Sequence, residues 1–578
     1  MIWYIENHQR FKQEREALEA LAARTDWLTP IKWRIDDSAR VAWDADISVP
    51  AGHRPVSLIY PNHFPFSPPL VVPRGDATRW SQHQWGPGNE LCLEYGPDNW
   101  HQDISGADMI ESAHRLLEGE QPEPGVSAEV ASRHAMTLGQ DLRGVFSRFL
   151  LTRPLTDELR NLPEAVMAVA SAAGIHRRGD CVVYVIESLT LPDGRTWKDE
   201  VPDIGILGFA DTVAVFRWPG NRPFPATHSL TAFRAAIGQA GLVLPDVSYV
   251  MVASGNDVRS FFLNADGDSL LESAVIPAQP SVPRLDKDHE ALAGRKVALV
   301  GCGSLGSKIA VMLARSGVGK FLLVDDDLFF PDNLVRHDLD WRDVGIHKAD
   351  SVARRIALVN PTAAYSVRKH RLGGQESSGG IESLLKSLGA SDLIIDATAE
   401  AKVFNYLCAA VAISKKLMVW AEVFGGGFGG LIARHRPSKE PDPASMRRAI
   451  ENWCADQGKV LPRPVHRYGG EPDAPAIADD ADVTVIAGHA ARMAIDLLIP
   501  RDPSSFPHSV YMIGLAEGWI FGQPFETRPI DVGPPAPEPE DAGDSAEAEM
   551  EFEFVKRLFS EYEDAASGGT ASNPTPGA

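Results

Sequence analysis

The 578 residues carry a net charge of −22 at pH 7 and are 44% hydrophobic, which suits about three or four ordinary globular domains. That charge excludes sequence-independent nucleic-acid binding by the whole molecule, because phosphates would be repelled. The opening MIWYIENHQRFKQ lacks the apolar core of a signal peptide, and no uninterrupted apolar span is long enough for a bilayer, so the expectation is a cytoplasmic protein with no membrane partner.

Residues 6–24 set Phe11, Leu18 and Leu21 at helical spacing. The alternating stretches IKWRI, VAWDADISV and PVSLIYP then predict a strand meander. The prolines of NHFPFSPPLVVP exclude a regular central strand. A turn-rich stretch with Trp80, His83 and Cys92 follows, then a predicted helix, ISGADMIESAHRLLEG. Together these make a small α+β domain over residues 1–150. Residues 151–283 hold the strands CVVYVIESL, DTVAVFRW and VSYVMVAS and the helix LTAFRAAIGQAGL, an α/β module with no assignable role. Residues 284–530 alternate strand and helix as a parallel sheet demands. The acidic, Pro/Gly/Ser-rich tail 531–578 is expected to be largely disordered, with MEFEFVKRLFSEYE able to form a short amphipathic helix on a partner. The fold class is α/β multidomain.

Five widely spaced cysteines, Cys92, Cys181, Cys302, Cys408 and Cys454, argue against a disulfide framework, and no CxxC pair suggests structural zinc. Each is core filler or a thiol with chemistry to perform.

In VALVGCGSLGSKIA an apolar run ends in Gly301, Gly303 and Gly306 before a helical pattern. Such a turn lets backbone N–H groups approach a phosphate at a helix N-terminus. Asp325 follows 24 residues after Gly301, at a strand end. An acid there binds a ribose hydroxyl in NAD and ATP alike. Arg336 and Lys348, 11 and 23 residues further on, discriminate. Attack of a carboxylate on an α-phosphate brings like charges together, and cations with a divalent metal offset that repulsion. LIIDATAE supplies Asp396 at another strand end for the metal. Singly, each residue has a plainer reading: a solvated cation, a helix-capping Asp, a packing glycine. The joint pattern carries the inference.

The stretch GCGSLGSKIAVMLARSGVGKFLLVDDDLFFPDNLVRHDLDWRDVGIHKA resembles the ThiF/MoeB/ubiquitin-activating adenylyltransferase family, which reads roughly GxGxxG, DxD, NLxRQ and GxxK. The resemblance implies ATP as cofactor, with Asp325 on the ribose, Asp327 as second acid of the DxD, and Asn333, Arg336 and Lys348 at the phosphates. His337 stands where the family usually has Gln. DATAE puts Ala399 where many members carry a metal-binding Asp, which leaves Asp396 or Glu400 to hold Mg²⁺.

An isolated cysteine such as Cys92 is by default a small buried hydrophobe. Yet FPFSPP at residues 64–69, with LCL around Cys92 and Trp100 downstream, resembles ubiquitin-conjugating enzymes, with Cys92 as the catalytic thiol. The HPN tripeptide of that family is missing, so its oxyanion donor is unassigned. His83 is a candidate substitute, and Asp98 or His101 a candidate aid to an incoming amine. AEVFGGGFGGLIARHRP predicts one sheet strand, and a long polar insertion bearing Cys454 follows, before the helix VTVIAGHAARMAIDLLI. A thiol in a polar segment near Arg447 and Arg448 suits thiolate chemistry. Cys454 is therefore the expected first acyl acceptor, and Cys181, Cys302 and Cys408 are expected to be structural.

A conjugating module ahead of an activating module resembles bacterial fusions of antiphage operons, CBASS systems among them. The resemblance implies ATP·Mg²⁺-dependent adenylation of a protein C-terminus, either a ubiquitin-like protein or a cGAS-like nucleotidyltransferase. A thioester would pass from Cys454 to Cys92, and a target Lys amine would accept the acyl group. It further implies a homodimer in which an Arg from the second copy reaches the ATP, Arg284 being the candidate. Three alternatives stay open: a sulfur-carrier adenylyltransferase with an inert N-terminal domain, a NAD-binding Rossmann oxidoreductase, and a non-catalytic scaffold.

Overall fold

The computed structural model describes residues 2–50, 52–75, 80–81, 83–85, 89–120, 142–164, 166–179, 181–199, 209–220, 224–225, 229–255, 257–277, 285–374, 378–462, 478–499, 501–535 and 546–567. Arg284 lies outside them. The chain divides into two units, Met1–Val145 and Phe146–Ala578.

In the first unit, helices α1 (Trp3–Glu6) and α2 (His8–Arg24) precede an antiparallel sheet of β1 (Leu28–Ile35), β2 (Val41–Val49), β3 (Gly52–Ile59) and β4 (Leu70–Pro73), in that spatial order. A two-residue hairpin, β5 (Gln84–Trp85) and β6 (Glu90–Leu91), leads to Cys92, and α3 (Gly106–Gly119) closes the unit. Ser105 caps α3 reciprocally with Asp108, which satisfies two orphan donors of the first turn. α2 buries Glu14, Leu18 and Leu21 along one stripe.

Glu14 is a buried charge in this unit. It pairs with Arg10 at 2.8 Å and accepts from the Tyr60 hydroxyl at 2.8 Å and from the Gly106 N–H at 2.6 Å. Burial pushes its carboxyl above the ordinary range against the pull of these partners. The contacts tie α2 to the end of β3 and to the start of α3. Gly106 is confined: a Cβ there would stand 2.1 Å from the Tyr60 hydroxyl and 2.7 Å from Leu58.

The second unit opens with a β-barrel. Its strands are β7 (Ser147–Leu151), β8 (Met167–Arg178), β9 (Cys181–Thr190), β10 (Thr196–Lys198), β11 (Ala210–Arg217), β12 (Tyr249–Ser254), β13 (Asp257–Asn264) and β14 (Ser269–Pro277). The pairing runs β9-β7-β14-β13-β12-β11-β8 and returns from β8 to β9, so the ring closes, with β10 appended to β9. α4 (Arg153–Asn161) follows β7, and α5 (Leu230–Gln239) packs outside the ring. Val213, Val215, Tyr249 and Met251 pack into one core, and their alternates Ala214, Phe216, Val250 and Val252 into another. Strands buried on both faces read as continuous apolar runs, which is why the sequence suggests an α/β module; the structure corrects this to a closed barrel. The boundary expected at 150 moves to Val145, because Ser147–Leu151 is a barrel strand.

A three-layer domain follows. Its strands are β15 (Lys296–Val300), β16 (Lys320–Val324), β17 (Ala364–Arg368), β18 (Leu393–Asp396), β19 (Leu417–Val423), β20 (Gly429–His435), β21 (Val510–Gly514) and β22 (Thr527–Ile530), in the order β17-β16-β15-β18-β19-β20-β21-β22. The first five are parallel to one another and the last three pairings antiparallel. One face packs α6 (Ser304–Arg315), α7 (Lys348–Val359) and α11 (Asp480–Leu498). The other packs α8 (Ser378–Gly389), α9 (Ala401–Ser414) and α10 (Pro443–Asp456). AEVFGGGFGGLIARHRP is two strands, β19 and β20, with Gly426 and Gly427 at positive φ between them, and not one. The tail expected to be largely disordered contains the 22-residue helix α12 (Ala546–Ser567). Among the described residues no helix is long and apolar enough to cross a membrane.

Gly106→Ala should lower the stability of the first unit by about 2 kcal/mol, as overpacking does. Thermal or urea unfolding followed by tryptophan fluorescence measures this, with the barrel and three-layer domain as unperturbed references.

Candidate functional site: a glycine turn and a separate thiol

β15 delivers the chain to Gly301 at φ +88°, a conformation glycine adopts freely. A Cβ there would stand 2.8 Å from the Thr398 side chain, and one on Gly306 would stand 1.9 Å from the Gly301 carbonyl oxygen. Gly303, at the N-cap of α6, faces open space instead. The first turn of α6 is thus drawn tightly against the end of β15 while its mouth stays clear, which is how helix N-termini receive phosphates.

Asp325 follows β16 and is held from two sides. Its carboxylate accepts from the Cys302 N–H at 2.6 Å and from the Asp327 N–H at 2.8 Å. Burial raises its pKa, with Lys348 acting in the opposite sense. Lys348, the first residue of α7, is buried and ion-paired with Asp327, while its N–H donates to the Asp327 carbonyl at 2.9 Å. Asn333 accepts from the Phe330 N–H at 3.0 Å and so shapes the short turn Pro331–Val335. Half-buried Arg336 leaves that turn with its N–H on the Asn333 carbonyl at 3.2 Å.

His337 explains one departure from the family pattern. The Leu339 N–H donates to its Nδ1 at 3.3 Å, so Nε2 carries the proton and donates to the Cys302 carbonyl at 2.8 Å. Burial, with Lys348 and Lys308 nearby, lowers its pKa to about 4. A neutral imidazole here does the work of a side-chain amide. Residue 302 is therefore held by its N–H to Asp325 and by its carbonyl to His337.

Asp396 ends β18, beside β15 in register with Val300. It is buried, accepts from the Thr398 N–H at 2.9 Å and hydroxyl at 2.7 Å, and its pKa is raised to about 6 by burial. A desolvated carboxyl at the lip of a phosphate turn fits a bound cation, which would supply its missing counter-charge. Glu400 raises the Asp396 pKa further. Among the described residues no group of three or more His, Cys, Asp or Glu forms a dedicated metal cage, so any Mg²⁺ here would need phosphate oxygens to complete its shell. Ala399 sits at φ +55°, a conformation Asp and Asn tolerate better than Ala.

Sequence reasoning placed Arg447 beside Cys454. The structure points it elsewhere: it lies 4.9 Å over the Phe404 ring and lowers the pKa of both Asp396 and Glu422. Glu422 was not singled out. It is buried on β19, with its pKa raised to about 7 by burial. Its signal was a lone carboxylate inside the apolar strand LMVWAEV.

Cys454 is a correction. It is fully buried on α10, in line with Met446 and Ile450, and burial pushes its thiol up to about 11. The segment that reads as a polar insertion is a helix with a three-residue apolar stripe, and Cys454 ends that stripe. A sulfur so placed packs, and its raised pKa opposes the thiolate. Cys302 is likewise buried, and Cys408 is half-buried with its thiol raised to about 12. The segment 463–477 lies outside the described residues.

Cys92 belongs to the first unit and is half-buried. Its N–H donates to the His83 carbonyl at 2.7 Å. Burial, and then Asp98, raise its thiol pKa. Asn99 locks the neighbouring turn, accepting from the Gly96 N–H at 2.7 Å and donating to the Glu94 carbonyl at 2.8 Å. The Trp100 indole donates to the Pro65 carbonyl at 2.8 Å, which joins FPFSPP to the Cys92 segment. His83 pairs with Glu120 at 3.8 Å and His101 with Asp103 at 3.6 Å.

A parallel sheet with a glycine turn, a ribose-type acid and a buried lysine at its strand ends defines a nucleotide-binding domain. Residues 281–470 match the sequence model of the ThiF family, so this is a ThiF-type adenylyltransferase domain. Uncharacterized protein y4qC of Sinorhizobium fredii is 23% identical over 495 residues, 77% of this chain and 82% of the relative. The ATP-dependent ubiquitin transferase-like protein Cap2 of Pseudomonas aeruginosa is 31% identical over 160 residues, only 27% of either chain. The solved structure of E. coli MccB with ATP is 16% identical over 43% of this chain and 67% of that one, with a TM-score of 0.33.

His337 stabilises the fold above pH 6.5, and this contribution is lost as pH falls from 6.5 toward about 4, because the unfolded state takes up the proton first. At most roughly 3 kcal/mol is involved. His337→Gln should keep the latch and flatten unfolding free energy against pH in that window, relative to wild type. Ala399→Asn should stabilise by about 1 kcal/mol in chemical denaturation.

Proposed function

We propose that this chain activates a protein C-terminal carboxylate with ATP and carries it as a thioester on Cys92 to an amine. The observation that supports this reading is the combination on one polypeptide of the Gly301–Gly306 turn, with Asp325 and Lys348 at its mouth, and a half-buried thiol in the Cys92 segment.

In the first step a carboxylate oxygen bonds to the α-phosphorus and pyrophosphate leaves. The α6 N-terminus, Lys348 and Arg336 stabilise the phosphates, and Asp325 orients the ribose. Mg²⁺ held at Asp396 would supply further positive charge to the triphosphate. In the second step the Cys92 sulfur, having given up its proton, attacks the acyl carbon, and AMP leaves. In the third an amine nitrogen attacks the thioester, and the thiol is regenerated. Tethering two catalytic modules raises effective concentration to about the millimolar range for a suitable linker.

The expected relay from Cys454 to Cys92 requires α10 to withdraw Cys454 from its core, so the geometry favours direct transfer from the adenylate to Cys92. The buried Cys454 also favours the sulfur-carrier reading, in which Cys92 is inert. The match of 281–470 to the ThiF family favours ATP over NAD. The likeness to the ATP-dependent ubiquitin transferase-like protein Cap2 supports ATP-dependent transfer of a ubiquitin-like acyl donor; a nucleotidyltransferase donor, a lysine acceptor and a place in bacterial antiphage defence belong to the same proposal. A homodimer is part of the same proposal.

Non-reducing electrophoresis with ATP and candidate donor proteins tests it. Cys92→Ala should abolish the thiol-sensitive adduct and the conjugate while leaving donor-dependent ATP–pyrophosphate exchange intact. Cys454→Ala should keep all three and cost about 1 kcal/mol of stability. Conjugation by Cys92→Ala at the wild-type rate defeats the reading. Loss of conjugation in Cys454→Ala with exchange intact restores the two-thiol relay.

A further inference from the structure

The C-terminal helix α12 exposes an apolar face with no role in the proposed reaction. Phe552, Val555, Leu558, Phe559 and Tyr562 are between 42% and 73% exposed. At helical spacing they form one broad band. The rest of the helix is acidic: residues 546–567 hold seven acids against Lys556 and Arg557. Two such helices would repel each other, so self-pairing of α12 is disfavoured. Its complement is an apolar groove with cationic edges.

The ThiF-type domain offers one. A groove of about 480 Å³ runs along the outer face of α6 and α11, lined by Met312, Val485, Gly488, Arg492 and Ile495 among others. Its exposed surface is mainly apolar; Val485 is 42% exposed, and a Cβ on Gly488 would meet nothing within 4 Å. Arg492 is exposed, with its guanidinium 5.7 Å from the Phe506 ring centre, and Arg315 is exposed in the last turn of α6. The tail leaves from the same domain. α11 leads into β21, and β22 pairs with β21 and ends at Ile530. Fifteen residues separate Ile530 from Ala546, a reach of up to about 50 Å.

We propose that α12 docks by its apolar face into the α6–α11 groove of its own chain, with its acids toward Arg492 and Arg315. The same helix that packs α11 would then be clamped on the outside of the element bearing the glycine turn. The proposal stands apart from the Cys92 chemistry.

Hydrogen exchange of the full chain, read by mass spectrometry, tests it. A free 22-residue helix is marginal in water, whereas a docked one is protected. Amides of 546–567 should exchange at least tenfold more slowly in wild type than in Leu558→Asp/Phe559→Asp. The groove variant Val485→Glu/Arg492→Glu should release the helix equally. Amides of Val510–Gly514 serve as the fold control; if the groove variant loosens them, Thr484→Glu repeats the test from a milder position. No protection in wild type overturns the proposal. Protection that survives the groove variants overturns it in favour of another surface. Protection that vanishes on dilution through the micromolar range overturns it in favour of a second copy.

Discussion

At position 306 there is room for a hydrogen atom and little else. The Gly301 carbonyl lies where a Cβ would be, so the first turn of α6 can approach the end of β15 only with glycine there. That approach fixes residue 302, whose N–H and carbonyl are then claimed by Asp325 and His337. Strands β16 and β18 deliver Asp325 and Asp396 to the same edge of the sheet because both pair in register with β15. The glycine turn and the two acids at the neighbouring strand ends are thus one consequence of packing a helix without side-chain bulk against a parallel sheet.

The electrostatics of that edge turn on buried acids. Asp396 and Glu422 are buried and Asp325 is half-buried, all three with raised pKa values, and the cations that offset them come from different elements: Lys348 from α7 and Arg447 from α10. Desolvated carboxylates are costly without counter-charge. In the proposed reaction a nucleotide with its metal would bring positive charge to Asp396, its phosphates would engage Lys348, and binding would be coupled to local stability through the same few groups.

What was legible in the sequence was what depends on short spacing. The glycines, Asp325, Lys348 and Asp396 announced themselves because a strand–turn–helix fixes their separations within one local unit. Trp100 and FPFSPP were legible as motifs, and their hydrogen bond shows them packed together. What was not legible depends on tertiary context. Cys454 sits in a segment whose other residues are mostly polar, and three apolar positions four residues apart are too thin a stripe to outweigh them by eye. The barrel strands, buried on both faces, carry the same apolar runs as a parallel sheet, and ring closure leaves no local mark. β19 and β20 read as one strand because both are apolar and the positive φ of Gly426 and Gly427 leaves no mark in the sequence beyond glycine itself. His337 stands out in the sequence only as a departure from Gln, and its hydrogen bonds to the Cys302 carbonyl and the Leu339 N–H appear only once the chain is folded.

Burial, and then Asp98, both oppose ionisation of the Cys92 thiol. Peroxide and disulfides react with the ionised sulfur and largely ignore the protonated one. Were Cys92 to carry the acyl group as proposed, the same protection would make its sulfur slow toward oxidants until an activated acyl group arrived together with a base to take the hydrogen.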